Sequence, residues 1–487
     1  MRSWPLIPCA SPDRWTRRES LCAAGAVSLG AAGAVLAAPQ ATQPTLAASF
    51  GSAKRCIFIY LWGSPSQLDT FDPKPDAPAE VRGELGSIAT AIPGIRFGEV
   101  LPRTAERAGR FTTIRSLTHT QPIHGTAFAT TSVPETDLPL ESKPRDPRHW
   151  PYVGAVVDYL AGRLSTDVPN IPRNFGLPFK FGSKRGASRP GFQGAFLGTS
   201  YDTVWSDFTA KGIREVLRDS GAPGPKPMVA DPYLGIRAED RFDLGQQNTD
   251  VAAERLQRRL SLLDRIDGDL LRPAAHQTTH ALARACLETP HLRTALDVQL
   301  ESPRLREEYG MTLFGQSCLA ARRLLEAGGK FVSVIWDEYG HVNTGWDTHV
   351  HQTPRLRDEL GPGFDRGFSR LLDDLDERGL LQDTAVVVVS EHGRTPRLDN
   401  VEGGGRNHWP FAYGGLLAGA GFAQGHVIGQ TDKIAGHVTD NPVSPKDVIA
   451  TLYHVLGIDP HSELHDRQGR PYFVGGIGQV RGELLRS

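Results

Sequence analysis

Short apolar runs separated by amphipathic segments make up most of this chain. Residues 56–62, 331–336 and 384–390 are almost entirely apolar, which is typical of strands buried on both faces of a sheet. Residues 111–117 and 413–417 are weaker strand candidates of the same kind. The pattern therefore predicts a sheet with several fully buried strands.

Helical periodicity fills much of the sequence between these runs. Apolar residues recur three or four positions apart in residues 152–164, 250–327, 364–378 and 445–456. Helices and strands that alternate in this way form parallel sheets covered on both faces. We therefore expect an α/β fold with a mostly parallel central sheet flanked by helices.

The first 48 residues follow a different pattern. Arg17-Arg18 precede residues 22–38, which are almost wholly Ala, Gly, Val and Leu and resemble the apolar part of a twin-arginine export signal. This run is too short and too weakly apolar for a membrane span. We expect export to the periplasm or the cell exterior, with no stable membrane span after signal removal. A disordered alanine-rich tail is the alternative.

The remaining residues, 49–487, are expected to form a single domain. Within them, residues 169–231 are rich in glycine, proline and aromatic residues and show no clear period. A helical pattern follows from residue 250. We therefore expect a helical and loop-rich insertion at about residues 165–305.

The composition excludes several classes of function. Lys and Arg number 54 against 55 Asp and Glu, which gives a net charge of -1. This balance argues against a nucleic-acid binder that neutralises phosphates in bulk and against a polybasic membrane-surface protein. The five cysteines are scattered and include no C-x-x-C pair, so the sequence offers neither a zinc knuckle nor a disulfide framework.

Acidic residues and histidines follow the predicted strands at the points where the strands end. Ligands of open α/β sheets bind beyond the carboxyl ends of the strands, so these side chains are expected to meet at one edge. Carboxylate oxygens and imidazole nitrogens together suit zinc, manganese or another borderline divalent ion. In chain order the candidates are Asp69, Asp347, His349, His351, Glu391, His392 and His408.

Each candidate also has a simpler interpretation. The histidines near position 350 would be solvated loop residues, and Glu391-His392 would be an ordinary strand-end pair. His408 would pack in an aromatic corner with Trp409, and Asp69 would cap a turn. These interpretations would have to hold independently at four strand ends, which favours a shared metal site.

Several motifs together resemble one known family. Residues 62–66, 68–75, 345–349, 393–396 and 408–410 resemble domain-of-unknown-function family 1501, whose members are abundant in planctomycete-type bacteria and are typically exported. The resemblance covers roughly residues 55–475. That family is similar in fold to the alkaline phosphatase and sulfatase superfamily, so the resemblance implies an alkaline-phosphatase-like fold.

The superfamily resemblance also implies a first metal site. One metal there takes an Asp, a His four residues later and a distant His. In this sequence Asp347, His351 and His408 fit that pattern, with His349 as an alternative to His351.

The resemblance also implies a second metal site, but this chain matches fewer of its ligands. Its Asp-His pair resembles Glu391-His392, in which Glu replaces Asp. The superfamily also places an Asp directly after the first strand, where this chain has Gly63-Ser64, so Asp69 is the substitute. We therefore expect one or two divalent ions, with zinc as the first choice and manganese or calcium as alternatives.

The resemblance leaves the nucleophile open. Formylglycine sulfatases need C-x-P-x-R, and none of the five cysteines lies in that frame, which excludes their mechanism. A superfamily nucleophile lies at a helix N-terminus after the second strand, where backbone N–H groups stabilise an oxyanion. Thr126 occupies the matching place with His124 as its helper, although Thr126 would also serve as a helix cap. Ser64 and Ser66 are further candidates.

These expectations describe an exported metal-dependent hydrolase of phosphate or sulfate esters. Arg394 or Arg406 would neutralise the anionic substrate, a small ester or a sulfated or phosphorylated glycan. We expect no nucleic-acid partner. The competing hypothesis is a non-catalytic exported binding or cell-envelope protein on a degenerate hydrolase scaffold, which the departures at Gly63-Ser64 and the uncertain nucleophile favour.

Overall fold

The three most apolar runs of the sequence are neighbouring strands of one central sheet. In chain order the eight strands of this sheet are β1 (Arg55–Leu61), β2 (Phe111–Leu117), β3 (Asn174–Leu177), β4 (Val204–Trp205), β5 (Phe331–Trp336), β6 (Thr384–Val389), β7 (Tyr413–Gly419) and β8 (His426–Ile428). Their order across the sheet is β8-β2-β7-β6-β1-β5-β3-β4. Only β7 runs antiparallel to its neighbours, so the prediction of a mostly parallel sheet is confirmed.

The computed structural model describes residues 46–121, 124–132, 143–146, 148–164, 171–186, 189–244, 261–262 and 290–486. Pro44–Ser487 form one compact unit. The predicted export signal lies outside the described residues, as does the helical pattern of residues 245–289 apart from residues 261–262. Among the described residues, no helix combines the length and the apolar character that a membrane crossing requires.

Both faces of the sheet are buried because alternate side chains of each strand enter two different hydrophobic clusters. In β1, Ile57 and Ile59 pack in one cluster, whereas Phe58 and Tyr60 pack in the other. The same alternation holds in β6, where all six residues are buried. This two-sided burial explains why these strands are uniformly apolar in the sequence.

Helices cover both faces. Those of seven residues or more are α1 (Val153–Leu164), α2 (Pro290–Leu296), α3 (Pro303–Tyr309), α4 (Leu313–Glu326), α5 (Gly361–Glu377) and α6 (Pro445–Val455). The apolar residues of α2 to α5 belong to the cluster of Ile57, and those of α1 and α6 belong to the cluster of Phe58. The expectation of helices on both sides is therefore confirmed.

Local sequence signals fix several helix ends. The side chain of Ser444 accepts a hydrogen bond from the backbone N–H of Lys446, and Asp447 completes a capping box at the start of α6. Thr312 caps α4 through the N–H of Gly315 at 3.1 Å. Helix α5 continues a short helix, Gln352–Arg355, through a π-helical turn.

The other elements are short. The remaining α-helices are Leu46–Ser49, Ala79–Arg82, Pro102–Glu106 and Thr126–Thr130. Two-stranded pairs join Ser87–Ala89 to Arg96–Gly98, Asp207–Phe208 to Phe242–Asp243, Glu215–Leu217 to Met228–Ala230, Gly393–Arg394 to His408–Trp409, Gln430–Thr431 to Val438–Asp440, and Glu463–His465 to Pro471–Phe473. The 3-10 helices are Ala108–Arg110, Ser183–Arg185, Ala195–Leu197, Thr199–Tyr201, Pro232–Leu234, Val298–Leu300, Leu381–Asp383 and Gly482–Leu484.

The segment expected to be an insertion, residues 165–305, is not wholly separate from the sheet. It contributes β3 and β4, which pair in parallel beyond β5. Between β4 and α2, the described residues form short hairpins and a 3-10 turn. The boundaries of the insertion stay a prediction, but two strands inside it belong to the central sheet.

Candidate metal centre

The candidate centre lies beyond the carboxyl ends of β1, β5 and β6, which are adjacent in the sheet. Gly63 follows β1 and has a φ of +91°. A side chain there would place its Cβ 2.2 Å from the backbone nitrogen of Asp347, so only glycine lets the two loops approach this closely. The N–H of Gly63 also donates to Glu391 Oε1 at 2.8 Å, which joins the loops after all three strands.

One oxygen of Asp347 and two histidine nitrogens form a compact group of three donor atoms. Asp347 Oδ1 lies 3.0 Å from His349 Nε2 and 3.3 Å from His408 Nε2. The two Nε2 atoms lie 3.2 Å apart. A tetrahedral zinc ion with bonds of about 2.0–2.1 Å separates its ligand atoms by roughly 3.3 Å. The spacing of these three atoms therefore fits a single small cation.

Pairing within a short β-ribbon sets the position of His408. Arg394 and His408 are register partners in the antiparallel pair that follows β6. This pairing brings His408, which lies in a polar and glycine-rich stretch of the sequence, back to the end of β6. The Asp347 side chain is held ionised there, because the nearby Arg394 charge and hydrogen bonds from histidines outweigh burial and keep its pKa well below the usual range.

His392 has a buried ring nitrogen that makes no hydrogen bond to a described residue. Its ring is fully buried, and its Nδ1 donates to the carbonyl oxygen of Gly393 at 2.8 Å. Its Nε2 has no hydrogen-bond partner among the described residues and lies in one group with donor nitrogens of His124 and His408. Burial, with the neighbouring positive charges, lowers the pKa of His392 well below its usual value. A neutral imidazole with a free, buried Nε2 is the form that ligates a metal.

His124 is held between two carboxylates. Its Nδ1 lies 2.7 Å from Glu391 Oε1, and its Nε2 lies 3.2 Å from Asp347 Oδ2. Its ring stacks on the indole of Trp62 with centroids 4.5 Å apart. Burial opposes the charged form, but hydrogen bonds to Asp347 and Glu391 outweigh burial and raise the pKa of His124 to about 9.

Glu391 faces His124 rather than the three-atom group around Asp347. Its Oε1 accepts from Gly63 and pairs with His124, while its Oε2 is buried with no partner among the described residues. Burial raises the pKa of Glu391, but the hydrogen bond and charge of His124 outweigh burial and leave the pKa below its usual value. Glu391 therefore pairs with His124 through Oε1, whereas its Oε2 makes no hydrogen bond to a described residue.

Arg394 is fully buried behind Asp347. Its guanidinium contacts Asp347 Oδ1 and the carbonyl oxygen of Gly63, and its Nε donates to Ser64 O at 3.2 Å. Its Nη1 donates to Arg406 O at 3.1 Å. These contacts engage all three guanidinium nitrogens. The residue expected to neutralise substrate is thus placed as a fixed cation against a candidate metal ligand.

Two predicted ligands lie apart from the centre. Asp69 Oδ2 is held by Arg406 Nε at 3.0 Å, Gln352 Nε2 at 2.8 Å and Ser66 Oγ at 2.6 Å. His351 has a φ of +53°, and its Nε2 lies 3.6 Å from Asp219 Oδ2. His349, the alternative, is the histidine that reaches Asp347.

Thr126 lies at the start of the short helix that follows His124. Its hydroxyl is buried and has no hydrogen-bond partner among the described residues. The helix cap is Gly125, so Thr126 is not the capping residue. Lys446 contacts Phe128 O and donates to Thr131 O at 3.1 Å, and these bonds satisfy the carboxyl end of this helix.

The sequence did not predict a role at the centre for Trp62 or Arg189, and it offered Ser64 only as a further candidate nucleophile. Trp62 stacks on His124 and also lies 3.6 Å from the Arg189 guanidinium, a cation–π contact. Ser64 has a φ of +68°, and its Oγ accepts from the N–H of His392 at 3.1 Å. A strand-end Gly-Ser pair is a usable signal for a tight turn, whereas nothing in the aperiodic segment around Arg189 marks it.

The model of the family described as "Protein of unknown function (DUF1501)" matches residues 53–485. This match confirms the family resemblance of the motifs. No curated protein matches the chain.

Solved structures similar to this one share little sequence with it. The sulfatase PsFucS1 from Pseudoalteromonas sp. is 13% identical, with 92% of this chain and 76% of that chain covered and a TM-score of 0.41. The lipoteichoic acid synthase LtaP from Listeria monocytogenes is 12% identical, with 88% and 76% covered and a TM-score of 0.39. A protein in the alkaline phosphatase superfamily from Vibrio parahaemolyticus is 11% identical, with 84% and 68% covered and a TM-score of 0.34.

Proposed function

We propose that this chain, which belongs to the family described as protein of unknown function DUF1501, is a metal-dependent hydrolase of phosphate or sulfate esters. The observation that carries the proposal is the set of donor atoms around Asp347. Its Oδ1 and the Nε2 atoms of His349 and His408 lie 3.0–3.3 Å from one another. The buried Nε2 of His392, which lacks a partner among the described residues, lies in a second donor group with His124 and His408 and is proposed as the fourth ligand.

The donor set favours zinc. Three imidazoles and one carboxylate suit zinc, with manganese as an alternative, whereas calcium prefers oxygen ligands. Both candidate groups of donors share His408, and the fixed Arg394 cation contacts Asp347 Oδ1, the same oxygen that His349 and His408 face. We therefore propose one ion, held by Asp347, His349, His392 and His408. A bound divalent ion would polarise a phosphoryl or sulfuryl oxygen as a Lewis acid.

His124 is proposed to hold a proton at the centre. Both of its nitrogens face carboxylate oxygens, which only accept hydrogen bonds, so the doubly protonated ring satisfies both contacts. The resulting positive charge, beside that of Arg394, would favour an anionic substrate. The Nε2 proton would pass to the leaving alcohol as the ester bond breaks, and the proton of the attacking hydroxyl would pass to solvent water. Thr126 stays the proposed nucleophile, with water as the alternative.

Export and substrate class are further parts of the proposal. The paired arginines at positions 17 and 18 support export by the twin-arginine pathway to the periplasm or the cell exterior. A sulfated or phosphorylated glycan or another small anionic ester is the proposed substrate. The proposed divalent ion and the proton on His124 support an anionic substrate without selecting between phosphate and sulfate.

The experiment is an assay of protein purified without chelator and then loaded separately with zinc, manganese or calcium. We expect cleavage of para-nitrophenyl phosphate or para-nitrophenyl sulfate by the zinc-loaded or manganese-loaded protein. His124→Gln should lower kcat by about 100-fold, the scale of general acid catalysis. The control is His461→Ala, because His461 is largely exposed and lies outside the centre. Absence of cleavage with every metal would contradict the hydrolase.

A second candidate function is metal-dependent binding without turnover. It is favoured by one observation: the Thr126 hydroxyl makes no hydrogen bond to any member of the centre within the described part of the chain. If the protein binds one zinc ion but cleaves neither ester, this second function is supported over hydrolysis.

A further inference from the structure

A separate cavity of about 630 Å³ is lined by residues that are not part of the metal centre. Its walls come from the stretch around Trp150, from Phe196 and from the C-terminal hairpin formed by Glu463–His465 and Pro471–Phe473. This volume lies in the range of about 300–1,000 Å³ that is typical of small-molecule sites. The mechanism proposed above uses none of these residues.

Three aromatic rings form a corner in the cavity. The rings of Phe196 and Tyr472 are inclined at 29°, with centroids 6.2 Å apart. Trp150 stands nearly perpendicular to both, 4.9 Å from Tyr472 and 5.4 Å from Phe196. All three side chains are half-buried, so part of each ring faces the cavity. Such a corner presents apolar ring faces in two perpendicular directions. A flat ligand ring would instead be sandwiched between two parallel aromatic rings.

Charged side chains of both signs line the same cavity. Arg470 pairs with Asp466 at 2.6 Å, and Arg148 donates to Asp146 at 2.9 Å. Arg467 is exposed and has no ion-pair partner within the described part of the chain. The cavity therefore combines one uncommitted guanidinium with carboxylates, including Glu463, that accept hydrogen bonds.

We propose that this cavity binds an acidic oligosaccharide. The C–H faces of a pyranose ring pack against aromatic rings, and the two perpendicular walls match a sugar ring with an apolar face and an apolar edge. Carboxylates such as Glu463 accept from hydroxyl groups, while the Arg467 guanidinium pairs with a sulfate or carboxylate group on the sugar. A nucleotide fits less well, because its flat base would meet perpendicular rings.

The cavity is linked to the metal centre by one short segment. His124 belongs to the centre, and Ser132 lines the cavity. The helix Thr126–Thr130 lies between them, so their Cα atoms are separated by at most about 20 Å. Oligosaccharide binding in the cavity would hold a longer glycan chain near the metal centre. This binding does not depend on hydrolysis or on bound metal.

The test is calorimetric titration of the full chain with heparin and chondroitin sulfate hexasaccharides, with maltohexaose as the neutral probe. We expect at least one acidic probe to bind at least about tenfold more tightly than maltohexaose. Chelator treatment should leave the Kd unchanged, which separates this site from the proposed hydrolase.

Two variants locate the binding. Arg467→Gln and Tyr472→Ala should each raise the Kd by about tenfold or more. Arg304→Gln is the control, because the Arg304 side chain is 90% exposed and lies outside the cavity. Thermal melting of each variant confirms folding, and Arg467 is exposed enough that its replacement leaves the core untouched.

Four results would overturn the proposal. They are the absence of binding to both acidic probes, equal binding of maltohexaose, an unchanged Kd in both cavity variants, and displacement of the acidic probe by ATP at comparable concentration. The last result would assign the cavity to a nucleotide instead.

Discussion

The Nε2 atoms of His349 and His408 lie 3.2 Å apart, although 59 residues separate them in the chain. Both atoms also face the same carboxylate oxygen of Asp347. The spacing of these two imidazole nitrogens and the carboxylate oxygen fits the ligand separations of one tetrahedral cation.

Replacing His408 should remove the metal while leaving the fold intact. His408 is only partly buried, with 24% of its side chain exposed, so His408→Ala removes a ligand without opening the core. We expect zinc affinity to fall by more than about 100-fold, beyond the usual cost of losing a residue that only supports a ligand. Elemental analysis and thermal melting measure the two effects. Retained zinc with lost stability would show that His408 is structural.

Gly63 should tolerate no side chain. Gly63→Ala adds a Cβ that would lie 2.2 Å from Asp347 N, and the residue also has a positive φ. We expect the free energy of unfolding to fall by more than about 4 kcal/mol. Gly94→Ala is the matched control, because Gly94 has a φ of +79° and nothing within 4 Å of the added Cβ. The control should cost about 1–2 kcal/mol. Equal losses in urea denaturation would contradict the close approach.

Arg394 should be needed for stability when no metal is bound. Arg394→Met removes the cation from Asp347 and leaves buried carbonyl oxygens of Gly63 and Arg406 without a donor. We expect a loss of about 3–5 kcal/mol in chelator-treated protein. Arg397→Met, at a side chain that is 75% exposed, should change stability by less than about 0.5 kcal/mol. Urea denaturation of both variants measures the difference, and an equal effect would argue that Arg394 is not a structural cation.

Asp337 should make stability depend on pH. Burial raises the pKa of its carboxyl to about 7, against the opposing charge of Arg189 and a hydrogen bond from Gly182 N. Between the ordinary pKa of 3.8 and this value the folded state keeps a proton that the unfolded state has released. The stability that this proton contributes is therefore present at low pH and is lost as the pH rises through about 7.

The corresponding comparison uses Asp337→Asn. The wild-type protein should lose stability relative to this variant between about pH 5 and about pH 8. Asp243→Asn, at an exposed carboxylate, is the control and should show no such difference. Urea midpoints measured at both pH values test the prediction. A difference between wild type and variant that does not change with pH would contradict it.

Much of the fold was predictable because strands that are buried on both faces of the sheet appear in the sequence as short, continuous apolar runs. Phe331–Trp336 is a strand with the predicted bounds, and Thr384–Val389 differs from its prediction by one residue. The direction of Tyr413–Gly419 was not predictable, since an apolar strand has the same composition whichever way it runs. The two-residue strand Val204–Trp205 is too short to show a period.

The centre was predictable only in part. Asp347, His392 and His408 follow strands or a strand-end loop, so their meeting at one edge follows from topology. The choice between His349 and His351 depends on a left-handed backbone at His351, which the sequence does not show. The engagement of Asp69 by Arg406, 337 residues away, is likewise a product of tertiary packing.

The most direct test of the metal centre is an anomalous difference map at the zinc edge, from crystals of the full chain grown with zinc. We predict one peak within about 2.0–2.2 Å of Asp347 Oδ1, His349 Nε2 and His408 Nε2. The absence of a peak at this position in crystals that bind zinc elsewhere would contradict the central claim.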